Sequence, residues 1–263
     1  MNRSYEDIRL TKDGMTATIK IDRPHVLNAV RFHTMTEIDE ALDEIENDES
    51  IRVVVVTGAG TRAFVSGGDI QVMAGGLTYV QTLTEVPKAQ EVCSRIENFP
   101  KPVIARINGY ALGGGTEIAM CCDLRIAVDT AKMGLPEIKL GIIPGYGGTQ
   151  RLPRLIGIGR AKQLILTGEH ISAQLALEYG LVNLVVPMEE LDRTVAEMAR
   201  KLASYSPVAL KMAKTAINNG LQADMKTALQ IEAGCCSLCF ASEDRVEGVT
   251  AFLEKRKPKF RGR

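Results

Sequence analysis

Residues 109–149 read GYALGGGTEIAMCCDLRIAVDTAKMGLPEIKLGIIPGYGGT, and this stretch places two glutamates beside glycine-rich turns in an apolar setting. Glu117 follows three consecutive glycines, and Glu137 lies twenty residues further on, directly after a proline. A buried carboxylate is costly unless it is paired, neutralised or used in chemistry. Glycine lets the backbone approach a ligand closely and aim N–H groups at it. The stretch therefore predicts proton transfer by two carboxyl groups beside a carbonyl held by N–H donors.

The patterning outside this stretch predicts an α/β body that ends in helices alone. Alternating or continuous apolar runs predict strands at residues 5–10, 15–21, 52–57, 102–107, 124–128 and 184–186. Helical spacing predicts helices at residues 35–48, 70–74, 88–98, 147–156, 159–166 and 172–178, and from 188 to about 255 with a break at Pro207. Two loops are predicted, a glycine-rich one at 64–69 and a weakly patterned, mobile one at 77–88. Early strands interrupted by helices are typical of the α/β class.

The composition excludes a dedicated nucleic-acid binder. The chain has 263 residues, 45% of them hydrophobic, and its 32 basic and 32 acidic side chains give zero formal net charge. Proteins that bind nucleic acids or other polyanions are normally basic. Only the end of the chain, KRKPKFRGR at residues 255–263, forms a basic run. On charge pattern alone this run is interpreted as a solvated end.

The cysteines and the absence of long apolar runs indicate the cellular compartment and whether a metal site is expected. The N-terminal segment is polar and charged, and no apolar run approaches the length of a membrane span. We therefore expect a cytoplasmic protein with free thiols and no membrane partner. Cys236 and Cys239 form a CxxC pair with neither a second pair nor a nearby histidine. This pattern indicates buried helix cysteines, so no metal site is predicted.

Five ordered blocks of the sequence resemble the enoyl-CoA hydratase/isomerase (crotonase) family. The blocks are RPHVLNA (23–29), AFVSGGDI (63–70), NGYALGGGTEIAMCCD (108–123), GLPEIKLGIIPGYGGTQRLPRLIG (134–157) and ASEDRVEGVTAFLEKRKPKF (241–260). The resemblance implies an α/β fold built as a spiral of ββα units, with the catalytic core at residues 1–200. Residues 201–263 are expected to form a helical region for oligomerisation and CoA contact. A homotrimer or a dimer of trimers is implied as well.

The resemblance also implies roles for the residues of the glycine-rich turns. The N–H groups of Gly68 and Gly114 match the two donors of an oxyanion hole for a thioester carbonyl, and a helix dipole assists the second donor. Glu117 would orient and deprotonate the water that attacks C3, and Glu137 would deliver a proton to C2. The implied reaction is reversible syn hydration of a trans-2-enoyl-CoA to a 3-hydroxyacyl-CoA. It uses no metal and no cofactor other than the CoA of the substrate.

Contacts with CoA and with the acyl group are implied less directly. The resemblance points to substrate-binding positions at Val26, Leu27, Ser66, Gly67, Asp69, Ile70, Phe252 and Lys255. Tyr146 either lines the acyl pocket or packs in the core, and Met73 and the loop after it either shape the acyl tunnel or fill space. Many hydratases of the family carry lysine where this chain has Gln71, which counts against a phosphate contact there.

Alternatives from other classes stay open or are excluded on specific features. The same donors and glutamates can serve Δ3–Δ2 enoyl-CoA isomerisation or hydration of a cyclic or dienoyl-CoA, and the acyl pocket decides among these reactions. A dinucleotide-binding oxidoreductase is excluded because no G-x-G-x-x-G follows a strand with an acidic residue about 20 positions later. RNA binding, known in some family members, is disfavoured by the zero net charge. Fatty-acid β-oxidation is one of several pathways that fit.

Overall fold

The computed structural model describes residues 4–263, in which the strands form two sheets. The strands are β1 (Ile8–Asp13), β2 (Thr16–Ile21), β3 (Val53–Gly58), β4 (Ala63–Val65), β5 (Val103–Ile107), β6 (Tyr110–Leu112), β7 (Leu124–Val128), β8 (Lys132–Gly134), β9 (Ile171–Ser172) and β10 (Leu184–Val186). The larger sheet has the order β1-β2-β3-β5-β7-β10, and the smaller has the order β4-β6-β8-β9. Only the β1–β2 and β8–β9 pairs are antiparallel in the part of the chain described.

Helices connect the strands and make up the end of the chain. They are α1 (Phe32–Glu46), α2 (Ile70–Ala74), α3 (Tyr79–Glu97), α4 (Gly114–Cys121), α5 (Gly148–Ile156), α6 (Ile158–Thr167), α7 (Ala173–Glu178), α8 (Met188–Ala203), α9 (Pro207–Gly220), α10 (Met225–Ala241) and α11 (Glu243–Leu253). Two short 3₁₀ turns, Pro24–Val26 and Pro136–Leu140, lie beside the candidate site described below. The predicted α/β body with a helical end is confirmed. Among residues 4–263, no helix has the length and apolar character needed to cross a bilayer.

The hydrophobic core lies around the larger sheet. Every residue of β3 is buried, as its unbroken β-branched run predicts for a parallel strand covered on both faces. Met35, Ile38, Leu42 and Ile45 of α1 are all buried, which matches the predicted apolar face of that helix. The parallel strands β3, β5 and β7 point the same way, so the turns that leave their carboxyl ends collect at one edge.

One predicted loop was wrong, and another begins two residues later than predicted. The segment at 77–88 is not a loop, because α3 begins at Tyr79 and runs through Pro87 to Glu97. Its start is stabilised by a capping box in which Thr78 and Gln81 satisfy each other's backbone N–H groups. The segment at 64–69 begins inside strand β4. The strands β4, β6, β8 and β9 are two or three residues long, too short for an alternating pattern to reveal them.

The backbone of the basic tail is anchored to the body of the protein, although its charged side chains are exposed. The buried carboxylate of Asp244 accepts hydrogen bonds from the N–H groups of Arg261 (2.7 Å) and Gly262 (3.0 Å). The guanidinium of Arg52 donates to the carbonyl of Phe260 at 2.6 Å. The charged side chains of the tail are exposed, as the interpretation of a solvated end predicts, while tertiary hydrogen bonds to a buried acid anchor its backbone.

Candidate active site

Two glycine-rich turns lie in close contact, and glycine is needed there because a side chain would collide with the opposite backbone. The first glycine turn (residues 66–69) follows β4, and the second (residues 113–115) precedes α4. A methyl on Gly115 would collide with the carbonyl oxygen of Val65, so α4 starts directly against β4. Gly113 has φ +52°, in the left-handed region that favours glycine, and a methyl on it would lie 3.6 Å from a Cα of the first turn.

The two predicted N–H donors are both free to bind a ligand. Val30 donates its N–H to the carbonyl of Gly67 at 2.9 Å and accepts from the N–H of Asp69 at 2.8 Å. This pairing skips Gly68, whose N–H has no hydrogen-bond partner within residues 4–263. The N–H of Gly114, at the first position of α4, is likewise unpaired within those residues because the preceding turn offers it no carbonyl. Two free donors from adjacent turns can hold a developing oxyanion.

Glu117 is buried, and two backbone N–H groups partly offset the cost of ionising it. Its Oε1 accepts hydrogen bonds from the N–H groups of Tyr146 (2.8 Å) and Gly148 (2.7 Å). Burial raises the pKa of Glu117, while the two N–H groups and the charge of Arg151 act in the opposite direction. A carboxylate that accepts two charge-assisted bonds on one oxygen keeps the other oxygen for a further partner, such as a water molecule.

Glu137 is also desolvated but lacks the N–H partners that Glu117 has. It lies in the 3₁₀ turn after Pro136, and its Oε1 is 2.7 Å from the position a methyl on Gly113 would occupy. Its Oε2 is buried and has no hydrogen-bond partner within the part of the chain described. Burial and the nearby charge of Glu117 raise the pKa of Glu137 to about 7. Two neighbouring carboxyls with different environments can divide the work of base and acid between them.

Two large side chains border the donors. The ring of Tyr146 lies 3.4 Å from the position a methyl on Gly114 would occupy, which places the ring beside the second donor. A methyl on Gly68 would lie 2.4 Å from the terminal methyl of Met73, which places the Met73 side chain beside the first donor. Burial raises the pKa of Tyr146, so its phenol stays protonated at neutral pH. The ring packs on the core, which confirms that interpretation of Tyr146, whereas its lining of the acyl pocket stays a prediction.

The other predicted substrate-binding residues near the first glycine turn are linked to one another or to their neighbours by hydrogen bonds and an ion pair. The N–H of Ser66 donates to the carbonyl of Leu27 at 3.2 Å, and its hydroxyl donates to the carbonyl of Val26 at 3.3 Å. The carboxylate of Asp69 forms an ion pair with Arg23 at 2.8 Å and accepts a hydrogen bond from the N–H of Gln71. Both oxygens of Asp69 thus fix the loop itself, whereas the side chain of Ile70 is exposed.

Phe252 lies in the last turn of α11 and Lys255 two residues after that helix ends, both on the surface of the helical region. Phe252 is 83% exposed, which is unusual for a side chain of its size. Lys255 adopts φ +56°, and its ammonium group makes no ion pair or hydrogen bond within residues 4–263. Contact of these two residues with CoA stays a prediction.

The residues that hold Glu117 in place are not apparent from the sequence. The local pattern around Gly148 predicts only a helix start, yet a methyl there would lie 2.9 Å from the Glu117 Oε1. Arg151 and Gln90 carry no motif, although both donate to carbonyls of the turn at 145–148. The sequence signal for Arg151 is its position three residues after the glycine pair of Gly147 and Gly148. The local sequence does not predict which groups its side chain contacts. Residues 4–263 contain no group of three His, Cys, Asp or Glu side chains arranged to hold a metal ion.

Comparisons with known proteins agree on one family. The model of the family "Enoyl-CoA hydratase/isomerase" matches residues 11–263. The chain is 48% identical over 95% of its length to the short-chain-enoyl-CoA hydratase of Clostridium acetobutylicum, covering 96% of that protein. It is 46% identical to the crotonyl-CoA hydratase of Syntrophomonas wolfei, with 98% of each chain covered. The crystal structure of an enoyl-CoA hydratase from Bacillus anthracis superposes with a TM-score of 0.94 at 44% identity, covering 98% of this chain and all of that one (100%). The fold implied by the resemblance is thereby confirmed.

Proposed function

This chain belongs to the enoyl-CoA hydratase/isomerase family, and we propose that it adds water reversibly across the double bond of a trans-2-enoyl-CoA. The product is a 3-hydroxyacyl-CoA. The observation that carries the proposal is the pair of unlike carboxyls, one held by two N–H groups and one with a bare, buried oxygen. They lie beside two adjacent turns whose N–H donors are free.

The proposed mechanism follows from these environments. The N–H groups of Gly68 and Gly114 hold the thioester carbonyl oxygen, on which negative charge accumulates as the reaction proceeds. Glu117 takes a proton from water, and the water oxygen forms a bond to C3. The electron pair of the C2–C3 double bond moves toward the carbonyl, and Glu137 gives its proton to C2. One proton enters the carboxyl pair at Glu117 and one leaves it from Glu137, so the number of protons on the pair is unchanged. A proton then passes from Glu117 to Glu137 to restore the starting state before the next turnover.

Carboxyl groups and backbone donors suffice for this chemistry, so we infer that no cofactor is used beyond the CoA of the substrate. A short-chain substrate such as crotonyl-CoA is favoured because the Tyr146 ring occupies space beside the Gly114 donor. The names of the two relatives, a short-chain-enoyl-CoA and a crotonyl-CoA hydratase, point the same way. The cytoplasmic location expected from the sequence stays a prediction.

Loss of the enoyl-thioester absorbance on mixing the protein with crotonyl-CoA tests the proposal. We expect fast loss with crotonyl-CoA, slower loss with a ten-carbon trans-2-enoyl-CoA, and 3-hydroxybutyryl-CoA as the product. A but-3-enoyl-CoA sample run in parallel detects the isomerase alternative as a gain in that absorbance. Turnover of a cyclic enoyl-CoA alone, or of but-3-enoyl-CoA alone, would reject straight-chain hydration as the main activity.

The pH dependence of hydration should follow the carboxyl pair. Turnover requires one proton on the pair, and the raised pKa of Glu137, about 7, means that this proton is available below that value and lost above it. We therefore expect kcat/KM for crotonyl-CoA to fall as the pH rises through about 7. Dehydration of 3-hydroxybutyryl-CoA should show the same profile, because the overall reaction releases no proton and its equilibrium constant does not depend on pH. A flat profile across the neutral and mildly alkaline range would contradict the role of Glu137.

The helical region supports a further part of the proposal, which is assembly into trimers with CoA bound near the junctions. No residue of α9 or α10 is buried in the single chain. The large apolar side chains exposed on α9–α11 and the links between them are Ile217, Leu221, Met225, Leu229, Leu238, Phe240, Val246, Val249, Phe252 and Leu253. So much exposed apolar surface indicates an interface between protein chains. Sedimentation equilibrium should give three or six times the mass of one chain, and a monomer would reject the assembly.

Replacing Lys255 with alanine is expected to raise KM for crotonyl-CoA several-fold and to leave kcat nearly unchanged. The ammonium group is free of protein partners within residues 4–263 and is suited to a phosphate of CoA, which plays no part in the chemical step. Crotonyl-pantetheine, which lacks the nucleotide, is the control substrate and should not respond to the change. An equal loss with both substrates would reject the phosphate contact.

A further inference from the structure

The turn at 145–148 supplies both N–H groups that hold Glu117, so whatever holds the turn also sets the position of that carboxylate. Two side chains hold it. Gln90 of α3 donates to the carbonyl of Gly145 at 2.8 Å. Arg151, in the first turn of α5, donates through Nη1 to the carbonyl of Tyr146 at 2.9 Å.

Arg151 is itself clamped by α3. Its Nε and Nη2 both donate to one oxygen of Glu97, at 3.1 and 2.8 Å, and Nη2 also donates to the hydroxyl of Ser94 at 3.3 Å. The side chain is only 14% exposed. Gly147 makes room for it, because a methyl at that position would collide with the guanidinium and the residue has φ +107°. An arginine with this many partners has one orientation, so it transmits the position of α3 to the turn.

We propose that Arg151, clamped by Glu97 and Ser94, is the positioning residue that aligns the Tyr146 and Gly148 N–H groups on Glu117. The proposal rests on the proposed function, since it assigns Arg151 to the base of that reaction. Within residues 4–263, Arg151 makes no hydrogen bond to Gly68, Gly114 or Glu137. Its effect on the reaction is therefore exerted through Glu117. Its role has two parts: it fixes geometry through the Tyr146 carbonyl, and it places a positive charge near a buried carboxylate.

The charge part predicts effects of opposite sign for the two partners of the ion pair. Removing the positive charge of Arg151 removes an influence that lowers the pKa of Glu117, so that pKa should rise. Neutralising Glu97 leaves the charge of Arg151 uncompensated, so the pKa of Glu117 should fall. The titratable groups that face Glu117 are Glu137 from the 3₁₀ turn, Cys93 from α3, Cys121 from α4, Tyr146 from the 145–148 turn and Arg151 from α5. The raised pKa values of Cys93 and Tyr146 keep both groups neutral throughout the range in which the base titrates.

The test measures the pH profile of kcat/KM for crotonyl-CoA in four variants, and reads the low-pH limb, where Glu117 gains its proton. Arg151→Gln should lower kcat by about 10- to 100-fold through misplacement of the base, and should move this limb to higher pH. Glu97→Gln should move it to lower pH. Arg151→Lys retains the charge and should leave the limb near its wild-type position with an intermediate kcat. Gln90→Ala removes an uncharged hold on the same turn and should not move the limb.

Circular dichroism and thermal unfolding identify any variant that fails to fold. If Arg151→Gln fails to fold, the shift of the low-pH limb in Glu97→Gln, which keeps an oxygen acceptor for Arg151, tests the proposal. The proposal is overturned if folded Arg151→Gln retains wild-type kcat. It is also overturned if the limb moves in the same direction, or not at all, in Arg151→Gln and Glu97→Gln. Absence of crotonyl-CoA hydration by the wild-type protein is a different result, since it rejects the proposed function itself.

Discussion

Replacing either Glu117 or Glu137 with glutamine is expected to lower kcat for crotonyl-CoA hydration by about 10²- to 10⁴-fold, the range typical of a lost general acid or base. The KM should change little, because proton transfer belongs to the transition state and not to substrate binding. Glutamine at 117 can still accept the N–H groups of Tyr146 and Gly148 through its amide oxygen, so the turn stays in place while the base is lost. Glutamine at 137 has the shape of the protonated acid but no acidic proton.

Stability provides the control for both glutamine variants. Each replaces a buried carboxyl whose pKa is raised, which means that burial disfavours its ionised form. A group with a raised pKa stabilises the fold least above that pKa, so in mildly alkaline buffer the neutral amides should not lower Tm. Folded variants that keep more than about a tenth of the wild-type kcat would contradict the two-carboxyl mechanism.

Replacing Gly114 with proline is expected to lower kcat by about 10²- to 10³-fold, the cost of one lost oxyanion-hole donor. Proline removes the N–H and puts a ring carbon in its place. The first position of a helix tolerates proline, since the N–H there has no partner within the helix. The fold should therefore survive the loss of the donor.

The matched control is Gly114→Ala, which keeps the N–H. The added methyl would lie 3.4 Å from the Tyr146 ring and 3.6 Å from Val30, distances that need little adjustment. We expect Gly114→Ala to retain most of the wild-type kcat and a Tm close to that of Gly114→Pro. Equal activity of the alanine and proline variants would mean that this N–H does not bind the carbonyl oxygen.

Several features of the protein could be predicted from the sequence because they are local. The β-branched run of β3 can only be a covered strand, and the apolar spacing of α1 determines which face it buries. The positions of Glu117 and Glu137, beside glycines and among apolar residues, are sufficient to single out both carboxyls as candidate catalytic groups. Burial raises the pKa of both carboxyls, as their apolar surroundings in the sequence predict, while their roles in catalysis stay a prediction.

Most differences between the sequence predictions and the structure share one cause, which is that distant residues decided the outcome. The strands β4, β6, β8 and β9 are defined only by pairing with each other, and the basic tail is anchored by Asp244, 17 residues away from its partner Arg261. Helix α3 is the exception, since its capping box is visible in the sequence at Thr78, while Pro87 inside the helix argues against a continuous helical segment.

What the sequence alone determined is the family, the α/β class and the two carboxyl groups, because motif blocks and periodicity are properties of neighbouring residues. What only the tertiary structure decided is how the carboxyls differ. Glu117 receives its N–H partners from residues 29 and 31 positions away, and the arginine that holds those partners is clamped by a glutamate 54 positions away. Glu137 has no such partner for Oε2 within residues 4–263. A pKa depends on burial, charge and hydrogen bonds in space, so the proposed division between base and acid could be argued only from the folded chain.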